Sequence, residues 1–167
     1  LGLDPRSVFK TLIARLGGTV KRSYAKSCSH VLLRYRTDPE YAKAEAAGQT
    51  IATVYWLLDC GAVAGVVSHL ASHNILYAPL PAPAGIPAFA HYVISVTGFR
   101  GSDRTRLTDL VRALGATYTP AMTRANTHLV VGSTDSEKFP FAVEWGVTLV
   151  CRQWLLDCAA LWEAVQI

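Results

Sequence analysis

The chain has 167 residues, of which 51% are hydrophobic and 17% are charged, a composition far from that of disordered chains. The formal net charge of +4 at pH 7 argues only weakly for nucleic acid, because Lys and Arg are not massed in one run. No stretch approaches the roughly 18 uninterrupted apolar residues of a membrane span, and the first residues lack a signal-peptide layout, so we expect a soluble intracellular protein without a membrane partner.

The four cysteines predict neither a zinc site nor a redox site. Cys28, Cys60, Cys151 and Cys158 include no C-x-x-C pair, and buried, reduced thiols are the simpler interpretation. Cys28 and His30 are two residues apart, but no second pair at ligand spacing accompanies them. We therefore expect no metal and no cofactor.

An internal repeat organises the chain. Residues 56–60, Trp-Leu-Leu-Asp-Cys, recur letter for letter as residues 154–158, and a constant shift of 98 residues aligns the two copies without a gap. Such self-similarity is typical of a duplicated structural unit. Further identical pairs at this shift are Leu12 and Leu110, Gly17 and Gly115, His30 and His128, Gly48 and Gly146, and Thr50 and Thr148.

Copy one predicts, in chain order, a helix, a strand, a helix, a strand and a helix. Apolar residues at helical spacing end at Gly17, and residues 31–33 are a short apolar run suited to a buried parallel strand. Asp38 and Pro39 are then predicted as the N-cap and first residue of a second helix that ends at Gly48. Residues 48–54 predict the next strand, and Trp56 opens the last helix.

The sequence of copy two predicts the same order of helices and strands, with additional strands in its first half. Residues 92–96 predict a first strand, and the elements then follow as helix, strand, strand, helix, strand and helix, with Ser136 and Glu137 in the N-cap roles of Asp38 and Pro39. Copy one begins too late to contain the first strand, because Leu1 aligns with Phe99. Either that strand lies upstream or copy one is completed differently.

A proline-rich stretch separates the copies. Residues 69–89 contain Pro79, Pro81, Pro83 and Pro87, which cannot sustain a helix and predict a semi-rigid connector. The predicted domains are therefore 1–68, N-terminally incomplete, and 90–167.

These motifs resemble the tandem BRCT domain family. In copy two the resemblance rests on residues 96–99, 114–116 and 127–130, with Gly146 eight residues before Trp154; copy one matches at Leu16 to Gly18, Ser29 to Val31, Gly48, Trp56 and Cys60. The resemblance implies an α/β fold with a four-stranded parallel sheet flanked by helices in each module, the first module lacking its first strand. It also implies a scaffold that binds phosphorylated proteins in DNA-damage signalling or repair, in the nucleus, within a larger multi-domain protein.

The family pattern further implies a phosphate pocket in copy two. Its positions are filled by Thr97, Gly98 and Lys138, with Ser136 two residues before the lysine. A phosphate dianion needs several converging donors and a positive charge, and a lysine at the start of a helix suits a ligand better than it suits the helix dipole. Copy one carries Glu40 in place of Lys138, so we expect copy one not to bind phosphate.

Two arginines extend the predicted pocket. Arg100 and Arg104, expected in the loop after Gly98, would contact the phosphate or a neighbouring acidic residue of the ligand; exposed loop arginines are the equally open alternative. Trp56, Trp154 and the two repeated histidines are interpreted as core residues that hydrogen-bond or pack within each module.

Two other functions stay open. The pocket and the basic surplus would also suit a DNA module that recognises a 5′ end or the backbone, and the helix surfaces would suit a partner without phosphorylation. An enzyme is the least favoured class, because no P-loop, dinucleotide, nucleophile-elbow or zinc-protease motif occurs.

Overall fold

The computed structural model describes residues 5–63 and 74–167. The chain divides into two compact units, Leu1–Ala82 and Pro83–Ile167, and each unit contains one copy of the repeat. The predicted connector 69–89 is shared between the units, and its residues 69–73 lie outside the described residues. The domain bounds drawn from the sequence stay a prediction.

Unit 1 has three helices and two strands among its described residues. The elements are α1 (Pro5–Arg15), β1 (His30–Leu32), α2 (Tyr41–Ala46), β2 (Thr50–Ala52) and α3 (Val54–Ala62). Strands β1 and β2 are parallel, with His30 opposite Thr50. No further strand joins this two-stranded sheet within the described residues.

The core of unit 1 includes a residue from beyond the repeat. Tyr77, in a 3₁₀ turn, is buried with Trp56, Leu57 and Cys60, against which α1 packs. The Tyr77 carbonyl accepts a hydrogen bond from the Thr53 amide at 3.0 Å, and its hydroxyl donates to the Asp59 carboxylate at 2.7 Å. Part of the predicted connector therefore packs into unit 1, because an aromatic ring gains more from burial than from exposure.

Unit 2 has the complete sheet that the sequence predicts. Its elements are β3 (Val93–Thr97), α4 (Gly101–Ala113), β4 (Thr117–Tyr118), β5 (His128–Val131), α5 (Lys138–Glu144), β6 (Thr148–Cys151) and α6 (Arg152–Leu161). All strands are parallel in the order β4-β3-β5-β6, with Ile94 opposite His128 and His128 opposite Thr148. Val96 in β3 and Leu129 in β5 are fully buried, as expected for strands covered on both faces. The predicted fold class is confirmed.

Both predicted N-caps are wrong: the capping residue lies two residues after Asp38 in copy one and one residue after Ser136 in copy two. Helix α2 begins at Tyr41 and α5 begins at Lys138, so Glu40 and Glu137 are the capping residues, without a side-chain cap. Asp38 instead closes a turn before the helix: its carboxylate accepts from the Tyr35 amide at 3.2 Å. Local side-chain bonds of this kind compete with capping.

The repeated histidine and tryptophan pack on each other in both units. The His30 and Trp56 rings stack at 5.0 Å, and the His128 and Trp154 rings stack at 5.3 Å. His128 Nδ1 is also hydrogen-bonded to Thr127 Oγ1 at 2.8 Å. Trp56, Trp154 and His128 are buried in the cores of their units, as the sequence predicts. The prediction is wrong for His30, which stacks on Trp56 but is itself exposed.

Burial of His128 makes stability depend on pH. Burial lowers the pKa of His128 from its ordinary value of 6.5, so below pH 6.5 the unfolded chain takes up a proton that the folded chain does not. The stabilisation is complete above this pH and is lost as the pH falls towards the folded pKa. Urea titrations from pH 7.5 to 5 are expected to show this loss, and His128→Gln is expected to flatten it. An unchanged slope in His128→Gln would assign the loss to other groups.

Within the two described ranges, no helix combines the length and the apolar character that crossing a membrane requires.

Candidate phosphate-binding site

The carboxyl end of β3 is held tightly against the end of β5. Thr97 is buried, and its carbonyl accepts a hydrogen bond from the Gly132 amide at 2.9 Å. Gly98 follows with φ +77°, and a Cβ there would lie 2.4 Å from the Ser133 nitrogen. Only glycine fits this position, because both the backbone angle and the space exclude a side chain. The Thr97 side chain makes no hydrogen bond to any described residue.

Lys138 reaches β3 from the first residue of α5. Its ammonium donates to Ser95 Oγ at 2.7 Å, to the Pro120 carbonyl at 2.6 Å and to the Val96 carbonyl at 3.3 Å. The structure thus places the ammonium at the peptide unit that joins Val96 to Thr97, and it does not bond Lys138 to the Thr97 hydroxyl. Three acceptors match the three hydrogens of an ammonium.

Arg104 lies beside Lys138, but in helix α4 and not in a loop as predicted. Its Nη1 donates to the same Val96 carbonyl at 3.1 Å, and its Nη2 donates to the Tyr118 hydroxyl at 3.2 Å. Two cationic side chains from different helices therefore converge on one backbone carbonyl. Helix α4 begins at Gly101, and Arg104, in its first turn, reaches back to β3.

The charge of this cationic pair is not balanced by the protein. Burial lowers the pKa of Lys138, and the neighbouring Arg104 charge lowers it further. Neither side chain forms an ion pair with a carboxylate among the residues that the structure describes. Because two partly desolvated cations repel each other, a bound anion would stabilise the pair.

The other two predicted residues stand apart from this pair. Ser136 Oγ is buried without a hydrogen-bond partner in the described part of the chain, beside the start of α5. Arg100 is exposed and immediately precedes α4, and its side chain contacts no described residue by a hydrogen bond or ion pair. The structure therefore brings Lys138 and Arg104 together at the end of β3 and leaves Arg100 outside.

Sequence reasoning missed Ser95, Tyr118 and Pro120. Ser95 is fully buried and lies two residues before Thr97, which puts both on one face of β3. A hydroxyl in an otherwise apolar strand was the signal that could have found it. Pro120 and Tyr118 offered no such signal, because their contacts depend on how β4 lies against β3.

No metal site competes for this position. Within 5–63 and 74–167, no three His, Cys, Asp or Glu side chains are close enough together to hold an ion. Unit 1 has no counterpart of the cationic pair, since Glu40 occupies the place of Lys138.

Both halves of the chain match models of one family. Residues 2–60 match the model of the BRCA1 C Terminus (BRCT) domain, and residues 92–154 match that of the twin BRCT domain. The chain belongs to the BRCT family. The resemblance carried by the motifs is therefore confirmed, and with it the prediction of a non-catalytic interaction module.

Relatives show how this BRCT pair compares with larger proteins. The chain is 33% identical over 151 residues to PAX-interacting protein 1 of Danio rerio, covering 90% of this chain and 16% of that protein. It is 23% identical over 180 residues to the S-M checkpoint control protein rad4 of Schizosaccharomyces pombe, covering 99% and 24%. This BRCT chain thus spans less than a quarter of either relative's length.

Two solved structures share the fold of this BRCT pair. BRCT3,4 of S. pombe Rad4 superposes with a TM-score of 0.73 at 19% identity, covering 96% of this chain and 87% of that chain. Yeast Rtt107 superposes with a TM-score of 0.77 at 22% identity, covering 96% of this chain and 38% of that chain.

Proposed function

We propose that this BRCT pair is a scaffold module that binds phosphoserine or phosphothreonine in partner proteins of DNA-damage signalling or repair, with the phosphate held by unit 2. The observation that carries the proposal is the convergence of Lys138 and Arg104 on the Val96 carbonyl, with no carboxylate to balance them among the described residues. An anionic ligand offsets the repulsion between these cations.

The surroundings of the pair suit a phosphate group in particular. The Thr97 hydroxyl and the Gly98 amide lie at the end of β3, next to the peptide unit that both cations contact. The Lys138 contact with the Pro120 carbonyl is on the exposed side, and a phosphate oxygen takes its place when the ligand binds. Each charge-assisted hydrogen bond contributes about 1.5 to 3 kcal/mol.

The biological setting is part of the proposal. The name of the S. pombe relative assigns that protein to S-M checkpoint control. The name of the D. rerio relative, which is more similar in sequence, describes a protein that interacts with PAX. Both support a role for this chain as one interaction module of a longer nuclear protein.

Removal of the Lys138 charge tests the proposal. Isothermal titration with a phosphoserine and phosphothreonine peptide library, and with its unphosphorylated twin, is expected to show binding of the phosphorylated peptides alone. Lys138→Met is expected to weaken binding by about ten- to a hundredfold, the equivalent of one charge-assisted bond. Lys43→Met, in the corresponding helix of unit 1, removes the same charge and is expected to leave binding unchanged. Equal affinity of Lys138→Met and the unmodified chain would contradict the proposal.

A second candidate function is phosphate-independent partner binding through α5. Phe141 and Val143 are 50% and 58% exposed on this helix, whereas the 98-residue shift places Lys43 and Glu45 at the same positions of α2. Exposed apolar side chains that occur in only one copy are not required by the fold. A partner complex that tolerates Lys138→Met and is lost in Phe141→Ser would favour this function.

A further inference from the structure

Basic residues are concentrated in the first part of unit 1. Between Asp4 and Asp38 the sequence contains eight Lys and Arg residues, half of the sixteen in the chain, and no Asp or Glu. These residues form no unbroken run, because other residues, including the core-facing Leu12 and Ile13 of α1, stand between them. Along this stretch, therefore, no acidic residue is available to neutralise its neighbours.

Five of these cations lie on α1 and on the segment that connects α1 to β1. Lys10 and Arg15 are exposed on α1, whose Leu12 and Ile13 pack on the core. Lys21, Arg22 and Lys26 are exposed on the connecting segment. None of the five forms an ion pair with a carboxylate of the described residues. We call these five side chains the basic surface.

The backbone beneath part of the basic surface is fixed. Gln49, just before β2, donates from Nε2 to the Cys28 carbonyl at 2.6 Å and to the Ala25 carbonyl at 3.1 Å. The Cys28 amide in turn donates to the Ala25 carbonyl at 3.0 Å. Lys26 is therefore presented on an ordered turn, which reduces the entropy lost when a ligand binds.

The second copy of the repeat shows that the fold does not need these charges. The 98-residue shift places Thr108, Ala113, Thr119, Pro120 and Arg124 at the five positions. Arg124 forms an ion pair with Glu144 at 3.4 Å, so its charge is balanced. The same architecture thus forms without a single unbalanced cation at these places.

We propose that the basic surface of unit 1 binds the phosphate backbone of duplex DNA. Regularly spaced phosphates neutralise several like charges at once and release condensed counterions, which a single acidic side chain cannot do. A duplex is favoured over a single strand because single-strand sites stack bases on exposed rings, and the aromatic residues of this stretch are covered. Phe9 packs on the core, Tyr24 is half-buried, and Arg34 lies over the Tyr35 ring.

This contact is independent of the phosphate site in unit 2. It uses other residues, reads no base, and recognises a repeating anion where the Lys138 site recognises a single phosphate. A chain with both sites would hold a phosphorylated partner close to DNA.

Fluorescence anisotropy with a labelled 30-base-pair duplex at increasing salt tests the proposal. Five phosphate contacts predict a slope of log K against log salt of about −4.5, at about −0.9 for each contact. The triple variant Lys21→Gln, Arg22→Gln, Lys26→Gln is expected to reduce the slope to about −2 and to weaken binding at least about tenfold at low salt. Because all three side chains are exposed, far-UV circular dichroism is expected to be unchanged.

A triple variant of unit 2 supplies the control. Arg112→Gln, Arg124→Gln, Arg152→Gln removes the same charge from exposed positions and is expected to keep the slope of the unmodified chain. Equal losses in both triple variants would overturn the proposal, since binding would then follow net charge alone. Binding of a polyglutamate peptide with no binding of the duplex would overturn it as well, as would unaltered DNA binding by the unit 1 variant.

Discussion

Trp154→Ala is expected to destabilise unit 2 by about 3 to 5 kcal/mol, the cost of removing a large buried aromatic side chain. The Trp154 ring is 8% exposed and stacks on Phe89 at 5.5 Å and on His128 at 5.3 Å. Its indole nitrogen also donates to the Val165 carbonyl at 2.9 Å, which fastens the segment after α6. One substitution therefore removes three aromatic and polar contacts at once.

Hydrogen exchange of the β3 and β5 amides measures the loss of stability of unit 2, because the amides of these central strands exchange through the global opening of their unit. Trp154→Phe keeps the ring contacts and loses the hydrogen bond to Val165, so its cost is expected to be smaller. Leu161→Ala, in the same helix but 63% exposed, is expected to change stability by about 0.5 kcal/mol or less. A Trp154→Ala variant as stable as Leu161→Ala would show that Trp154 is not part of the core.

Gly98→Ala is expected to destabilise unit 2 by about 2 to 5 kcal/mol and to remove phosphopeptide binding. A left-handed residue with a side chain costs about 1 to 2 kcal/mol. The new Cβ would in addition lie 2.4 Å from the Ser133 nitrogen and 2.9 Å from the Gly132 carbonyl carbon. Backbone atoms cannot move aside as a side chain can, so overpacking adds about 1 to 3 kcal/mol.

Gly146→Ala separates the cost of the backbone angle from the cost of overpacking. Gly146 has φ +69°, but a Cβ there meets nothing within 4 Å, so only the cost of the backbone angle remains, about 1 to 2 kcal/mol. Urea unfolding of both variants, followed by circular dichroism, gives the difference. If Gly98→Ala and Gly146→Ala cost the same, the close approach of β3 to the Gly132 turn does not contribute.

Structural features that depend on residues close together in the sequence were predicted well. The repeat at 98 residues and the apolar runs of β3 and β5 gave the element order of unit 2 and its parallel sheet, because strands buried on both faces are largely apolar. The helix starts were less accurate, since Asp38 forms a turn with the Tyr35 amide where it was expected to cap α2.

Charge distribution was the signal that the sequence interpretation overlooked. The cations between Asp4 and Asp38 were judged by the absence of an unbroken run, but core residues can separate exposed charges in the sequence, as Leu12 and Ile13 separate Lys10 from Arg15. Counting acidic residues along the same stretch would have revealed the imbalance.

The sequence by itself determined the duplication, the BRCT family and the four-stranded sheet of unit 2, because motif spacing and hydrophobic pattern are local properties of the chain. Only the tertiary structure decided that Arg104 joins Lys138 at the Val96 carbonyl, that Ser95 and Pro120 hold the ammonium, and that Tyr77 completes the core of unit 1. Each of these contacts joins residues from different elements, and the packing of the elements fixes which side chains meet.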